Sequence, residues 1–392
     1  MKDTPRGMRR HIALLGKTNA GKSTLFNLLT GQENAIVSEK AGTTTDPVIK
    51  SMELLPFGPV ALIDTAGLED TTELGRQRMK KTMEFARRAD IGLIVREAHD
   101  TDSGPADESF YTGEKIYVFT KCDLVDQQAL DRIKKQYPGS VLISHDNPED
   151  IDSLKRILIE RLTGMEEAGG DTLIGDLLPR GGTVVMVVPV DSGAPKGRLI
   201  LPQVQLIRDC LDYGIKAYVT RETELESALG DLPSIELVVT DSQVFAFVNE
   251  LVPADIPLTS FSMLLARQKG NFKQLLGGTG HIKNLKDNDR ILMLEACTHN
   301  HTHEDIGRVK IPGLLNQFTG KRLEYVYCGG YCMPDCLDGY SMAVLCGSCM
   351  INKKELTLRL KLMEEKNIPV TNYGIILAYL NGILDRCTET FK

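Results

Sequence analysis

At 392 residues the chain is long enough for two or three domains at the roughly 150 residues a domain commonly takes. Hydrophobic residues at 42% and charged residues at 25% exclude a disordered, collagenous or membrane-embedded protein, and 46 Lys and Arg against 53 Asp and Glu leave a net charge of -7, which excludes a global basic field for nucleic acid or anionic lipid. The longest apolar run, around Val184–Val190, falls far short of the ~20 residues a membrane span needs, and His11–Leu15 is too short for a signal peptide, so a cytoplasmic protein without membrane contact is expected.

From Arg10 to about Thr163 short apolar runs alternate with amphipathic stretches, the pattern of a parallel sheet covered by helices. Ile12–Gly16, Val60–Asp64, Ile91–Arg96, Ile116–Thr120 and Val141–Ser144 read as strands, and Thr24–Leu29 as a helix. Between the first strand and that helix, Gly16-Lys-Thr-Asn-Ala-Gly21-Lys22-Ser23 fits G-x-x-x-x-G-K-[ST], a loop whose backbone amides and helix dipole cradle phosphate. The expected phosphate contacts are Asn19, Ala20, Gly21, Lys22, Ser23 and Thr24. Magnesium would be held by Ser23, by Thr44 in the loop Gly42-Thr-Thr-Thr45, and by Asp64 at the start of Asp64-Thr-Ala-Gly67; Lys22, Thr44, Asp64 and the Gly67 amide would serve hydrolysis. Thr120-Lys-Cys-Asp123 ends a later strand, where Asp123 can accept two hydrogen bonds from a guanine edge, with Lys121 beside it and Ser144 as a further base contact. In that order the motifs select GTP, although Thr120 stands where Asn is usual.

This first segment resembles the potassium-stimulated GTPases typified by the tRNA-modification GTPases. The resemblance implies that Asn19 coordinates a potassium ion beside the phosphates. It also implies slow intrinsic hydrolysis, since Leu68 occupies the position where signalling GTPases carry a water-orienting Gln.

The Gly-rich stretches Glu166–Asp171 and Pro179–Gly182 read as a linker, giving expected domains at 1–165, 183–267 and 268–392 around a linker at 166–182. The middle segment is again α/β, with strands at Thr183–Val190, Ile215–Val219 and Ile235–Thr240 and helices at Gln203–Tyr213, Glu222–Leu229 and Ser242–Leu251. It carries no His and no cysteine but Cys210, which suits an oligomerisation module; the polar loop Asp191–Arg198 reads as solvated. A Gly-rich break, Gly277–Gly280, opens the last segment, where Arg290–Ala296 and Ser341–Leu345 read as buried strands and Asn352–Lys366 as an amphipathic helix.

Of nine cysteines only Cys122 and Cys210 precede Cys297. In a reducing compartment that clustering points to metal or redox chemistry rather than disulfides. Cys297 follows one buried strand, and Cys346-Gly-Ser-Cys349 follows the other. Three thiolates with one weaker ligand suit a 4Fe-4S cluster, whereas a structural zinc prefers four closed ligands. The weaker ligand could be Glu304, His299, His301 or His303. A further run, Cys328, Cys332 and Cys336, could bind a second metal or act as redox thiols.

Cys297-Thr-His299, the distant Cys346-Gly-Ser-Cys349 and the segment Asn372–Leu384, on a chain opening with a GTPase, resemble the HydF family of FeFe-hydrogenase maturation GTPases. The resemblance spans the chain and implies three domains: an N-terminal P-loop GTPase, a middle α/β dimerisation domain and a C-terminal α/β iron-sulfur cluster domain. Further implications are cluster ligands Cys297, Cys346 and Cys349 with Glu304 as the favoured fourth, and a homodimer or larger homo-oligomer. The protein would be a scaffold that carries a diiron precursor, made with radical-enzyme maturases, to apo FeFe-hydrogenase. Leu345 departs from the family, many of whose members place His before the C-x-x-C. The competing reading is an RNA- or ribosome-associated GTPase with a zinc-binding C-terminal domain, against which the acidic balance weighs.

Overall fold

A computed structural model describes residues 9–31, 48–65, 82–100, 111, 113–144, 147–169, 172–190, 199–296 and 305–391, with the backbone alone at 166–169. The chain divides into two compact units, Met1–Gly169 and Gly170–Lys392.

The first unit is built on a six-stranded sheet of order β2-β3-β1-β4-β5-β6. β1 (Arg10–Leu15), β3 (Gly58–Asp64), β4 (Ile91–Glu97), β5 (Glu114–Thr120) and β6 (Val141–Leu142) run parallel, and β2 (Val48–Leu54) pairs antiparallel with β3. Strands covered on both faces must be apolar throughout, hence the fully buried Ile12–Leu15 and Val60–Ile63. The sequence pattern misses β2 because an edge strand with one neighbour can keep Lys50, Ser51 and Glu53 at least partly in water. The helix Pro148–Gly169 packs Leu154, Leu158 and Leu162 against this core. It continues through Glu166–Gly169, where a linker is expected from the glycines.

The second unit holds two parallel four-stranded sheets. One has the order β10-β9-β7-β8, from β7 (Thr183–Val187), β8 (Lys216–Thr220), β9 (Leu237–Thr240) and β10 (Leu258–Ser260). The other is β12-β11-β13-β14, from β11 (Arg290–Glu295), β12 (Glu324–Gly329), β13 (Tyr340–Leu345) and β14 (Val370–Asn372). One continuous core joins the sheets, with Val185, Val187 and Val238 in the same cluster as Leu292, Leu294, Ala343 and Leu345. The helix Phe261–Lys269, capped by the Ser260 hydroxyl on the Met263 amide, contributes to two clusters, Met263 and Ala266 to this one and Phe261, Leu264 and Leu265 to another.

The expected break at Gly277–Gly280 is instead helical, lying in Phe272–Gly278 and the 3-10 turn Thr279–Asn284. Glycine is needed there for proximity: a Cβ on Gly278 would stand 2.0 Å from the Val370 carbonyl oxygen on β14. β10 and β14 span three residues each, too few to carry a periodic signal. Among the described residues no helix is long and apolar enough to cross a membrane.

Candidate functional site

In the first unit the loop after β1 turns back over the sheet and starts the helix Lys22–Thr30. The turn requires its glycines. A Cβ on Gly16 would lie 2.2 Å from the Val95 carbonyl oxygen, and Gly21, the helix N-cap, has φ 85°. Asn19 also adopts a left-handed conformation, φ 65°, which Asn tolerates better than most residues. Lys22 is buried, and its ammonium donates to the carbonyls of Gly16 (3.0 Å) and Lys17 (2.6 Å), curling the loop around a positive charge. Ser23 donates from Oγ to Asp64 Oδ2 at 2.8 Å, joining the helix start to the end of β3. Burial raises the Asp64 pKa against the opposing effects of Ser23 and Lys22, and its Oδ1 is buried without a hydrogen-bond partner. A hydroxyl and an orphaned carboxylate oxygen beside a phosphate-type loop fit a magnesium ion, which would relieve both conditions.

Thr120 does more than mark the end of β5. Its hydroxyl is within 2.9 Å of the Ala20 carbonyl and 3.2 Å of the Arg96 carbonyl, tying the phosphate loop to the base loop where Asn is expected. Lys121 follows in a left-handed conformation and pairs with Glu97. Asp123 sits in the short 3-10 turn Cys122–Leu124, and the Ser144 amide donates to Asp150 Oδ2 at 2.9 Å. Thr24 lies in the first turn of Lys22–Thr30 and Ala20 is buried in the loop. Thr44, Gly67 and Leu68 lie outside the described residues.

In the second unit the chemistry gathers at the carboxyl edge of a parallel sheet, where open α/β sheets place their ligands. β11 and β13 end in register, Leu294 opposite Leu345, so Cys346 leaves the sheet beside the strand that leads to Cys297. The Cys346 sulfur accepts from the Ala296 amide at 3.0 Å and from the Ser348 amide at 3.4 Å, an arrangement that favours a thiolate. Ser348, with φ 54°, bends the C-x-x-C loop, and Cys349 is half-buried. These donors fit a soft metal centre. Cys297, His299, His301, His303 and Glu304 lie outside the described residues, and among the described ones no three His, Cys, Asp or Glu side chains converge.

Two features of this edge are absent from the sequence reading. Lys269, at the end of Phe261–Lys269, is buried, and its ammonium donates to the carbonyls of Ser348 (3.3 Å), Cys349 (3.4 Å) and Ile351 (3.1 Å). Burial pushes its pKa down to about 8 against the upward pull of the Cys349 and Cys346 sulfurs. A lysine closing an otherwise core-facing helix is the only signal that could have pointed to it. Glu295 is also buried, accepting from Tyr373 OH at 3.3 Å and pairing with Arg308 at 3.2 Å, and Arg308 stacks over the Tyr327 ring. Burial foremost, then the Cys346 sulfur and Glu295, raises the Tyr373 pKa and keeps its hydroxyl a donor.

Comparison with known proteins gives three domain families in order. A 50S ribosome-binding GTPase model matches residues 11–121, a hydrogen maturase F dimerization domain residues 173–270, and a hydrogen maturase F tetramerization domain residues 273–390. The last two together cover more than half of the chain. The tRNA modification GTPase MnmE of Xanthomonas oryzae pv. oryzae (strain MAFF 311018) is 37% identical over 123 residues, 30% of this chain and 27% of that protein. MnmE of Dichelobacter nodosus (strain VCS1703A) is 36% identical over 129 residues, 30% of this chain and 28% of that protein. The chain thus spans only about a quarter of the length of these relatives. A structure of Era from Aquifex aeolicus overlaps 54% of this chain and 93% of its own, at 19% identity and a TM-score of 0.31.

Proposed function

The chain belongs to the hydrogen maturase F family, and on that premise we propose that it is a slow, potassium-stimulated GTPase that serves as a scaffold for hydrogenase maturation, carrying a diiron precursor to apo FeFe-hydrogenase. The observation that carries the reading is the C-x-x-C loop at the carboxyl edge of the second unit's second sheet. There Cys346 receives two amide hydrogen bonds, and a buried ammonium holds the loop from behind.

On the nucleotide side, Lys22 neutralises phosphate charge, while Ser23 and Asp64, with Thr44, hold magnesium; Asn19 coordinates potassium. Asp123 selects guanine, with Lys121 and Ser144 as further base contacts, and Gly67 serves hydrolysis through its amide. Thr120 keeps loop and base site in one geometry. With no Gln after Gly67, water is positioned weakly and turnover is slow.

On the cluster side, Cys297, Cys346 and Cys349 supply three thiolates and Glu304 the fourth ligand, with His299, His301 and His303 as its alternatives. A 4Fe-4S cluster held in this way offers one iron whose ligand can exchange with cargo. The chain's own part is to stabilise thiolate charge through the Ala296 and Ser348 amides and to fix the loop through Lys269. GTP then times partner exchange rather than acting on iron. The dimerization and tetramerization domains support a homo-oligomer.

Incubation with the radical-enzyme maturases and then with apo FeFe-hydrogenase tests this reading through hydrogen evolution. Wild type should activate the enzyme and Cys346→Ala should not; Lys22→Ala should bind the maturases but fail to release them with GTP. Equal activation by wild type and Cys346→Ala would refute the cluster role.

A further inference from the structure

Cys328 and Cys332 have no part in the site described above. Cys328 is the penultimate residue of β12, paired opposite Leu294, and its side chain is buried in the shared core. The chain then reverses. Gly330 takes φ 63°, and the Cys332 amide donates to the Gly329 carbonyl at 3.1 Å, folding Cys332 back over the strand end. Both polar groups of Gly330 are held: its amide donates to the Glu295 carbonyl at 2.7 Å, and its carbonyl accepts from Arg359 Nη2 at 2.7 Å. Arg359 is itself buried and pinned by Glu355 on the same helix at 2.8 Å. The turn is therefore held from both sides, and it folds the exposed Cys332 back towards the strand end where Cys328 is buried.

Cys336 stands apart. Its sulfur accepts from the Asp338 amide at 3.4 Å, and Asp338 pairs with Lys366 at 3.0 Å, so the three thiols divide into a pair and a single.

We propose that Cys328 and Cys332 form a dithiol site that exchanges with low-molecular-weight disulfides of the glutathione class. The exposed Cys332 thiolate attacks the disulfide RSSR, forming a mixed disulfide with R and releasing one RS-, which takes up the proton Cys332 has lost. The Cys328 sulfur, after losing its proton to solvent, attacks the Cys332 sulfur and expels the second RS-, which is protonated in turn. Two protein thiols and one RSSR thus become one Cys328–Cys332 disulfide and two RSH, and a dithiol reductant reverses the reaction. The division of labour follows from access: a solution disulfide reaches an exposed sulfur, and the buried one serves as the resolving thiol. Burial, followed by the neighbouring Cys332 sulfur, raises the Cys328 pKa, with Arg359 opposing, which suits the later of the two steps. The site needs neither cluster nor nucleotide, so its test is independent of the maturation reading.

The experiment treats the full-length protein, purified without oxygen, with glutathione disulfide, then alkylates and maps the peptides. Wild type should lose alkylation at Cys328 and Cys332 together, in a peptide lighter by two hydrogens, while Cys336 stays alkylated. Cys328→Ser should instead accumulate glutathione on Cys332 as a lasting mixed disulfide, Cys332→Ser should leave Cys328 unmodified, and Cys336→Ser should behave as wild type. Lasting glutathione on Cys332 of the wild type, a bond from Cys332 to Cys336, or no reaction at Cys332 would each overturn the proposal.

Discussion

Replacing Thr120 with Val tests whether one hydroxyl aligns the nucleotide site. Valine matches threonine in shape, so packing around this buried side chain is kept and only the hydroxyl is lost. That hydroxyl lies 2.9 Å from the Ala20 carbonyl and 3.2 Å from the Arg96 carbonyl; being a single donor, it satisfies one strongly and the other weakly. Leaving a buried carbonyl unpaired costs about 1–3 kcal/mol. If about 1.4 kcal/mol of that falls on the phosphate loop, nucleotide affinity weakens by roughly tenfold. Equilibrium titration with a fluorescent GDP analogue at fixed magnesium reads the affinity, and thermal unfolding in parallel separates it from a general loss of fold. Thr120→Ser, which keeps the hydroxyl, should stay close to wild type. A Thr120→Val protein that binds nucleotide as tightly as wild type would refute the role of this bond.

Gly278→Ala separates helix propensity from packing. Alanine should favour the helix by about 1 kcal/mol on propensity alone, yet its Cβ would stand 2.0 Å from the Val370 carbonyl, so a loss of about 1–3 kcal/mol is expected in denaturant unfolding; a stabilised variant would contradict the close approach. Lys269→Met removes the donor to three carbonyls at about 1 kcal/mol each, offset by relief of the buried charge. Its C-x-x-C loop should loosen, so that Cys346 and Cys349 of the metal-free protein alkylate faster than in wild type; unchanged rates would show that the loop holds itself. Asp64→Ala should require several-fold more magnesium for half-maximal GTP binding, and an unshifted magnesium titration would remove the carboxylate from the metal shell. GTP turnover should be faster in potassium than in sodium for wild type and indifferent to the choice in Asn19→Ala; equal rates for wild type in both salts would end the role of Asn19.

The α/β class and the three-domain order are legible in the sequence because buried parallel strands must be apolar from end to end. The phosphate loop is legible for a different reason. Gly21 answers to a local constraint, a φ of 85°, and Gly16 to the Val95 carbonyl 2.2 Å from a would-be Cβ, and the two glycines stand at the motif's fixed spacing, which the sequence displays directly. What the sequence hides is contact between distant segments. The Gly277–Gly280 stretch looks like a break because glycine usually serves the backbone, whereas Gly278 serves the approach of β14. Edge strand β2 is half polar, and β10 and β14 are too short to show a period. Lys269 lies some eighty residues before the loop it supports, and Arg359 some thirty after the turn it holds, separations that no local pattern reports. The departure at Thr120 is informative in the same way: the expected Asn is missing, and the hydroxyl that stands there reaches the Ala20 carbonyl, a hundred residues earlier in the chain.

The proposed iron-sulfur cluster on the C-terminal cysteines of a GTPase scaffold is open to a direct chemical test. Iron, acid-labile sulfide and zinc content of protein purified without oxygen, with an EPR spectrum after reduction, tests it most directly when wild type is compared with Cys346→Ala. Wild type should carry about four iron and four sulfide per chain and show a reduced-cluster signal, and the variant should lose both. Stoichiometric zinc without sulfide in wild type, under conditions that preserve iron clusters, would contradict it and favour a zinc-bearing, RNA-linked GTPase.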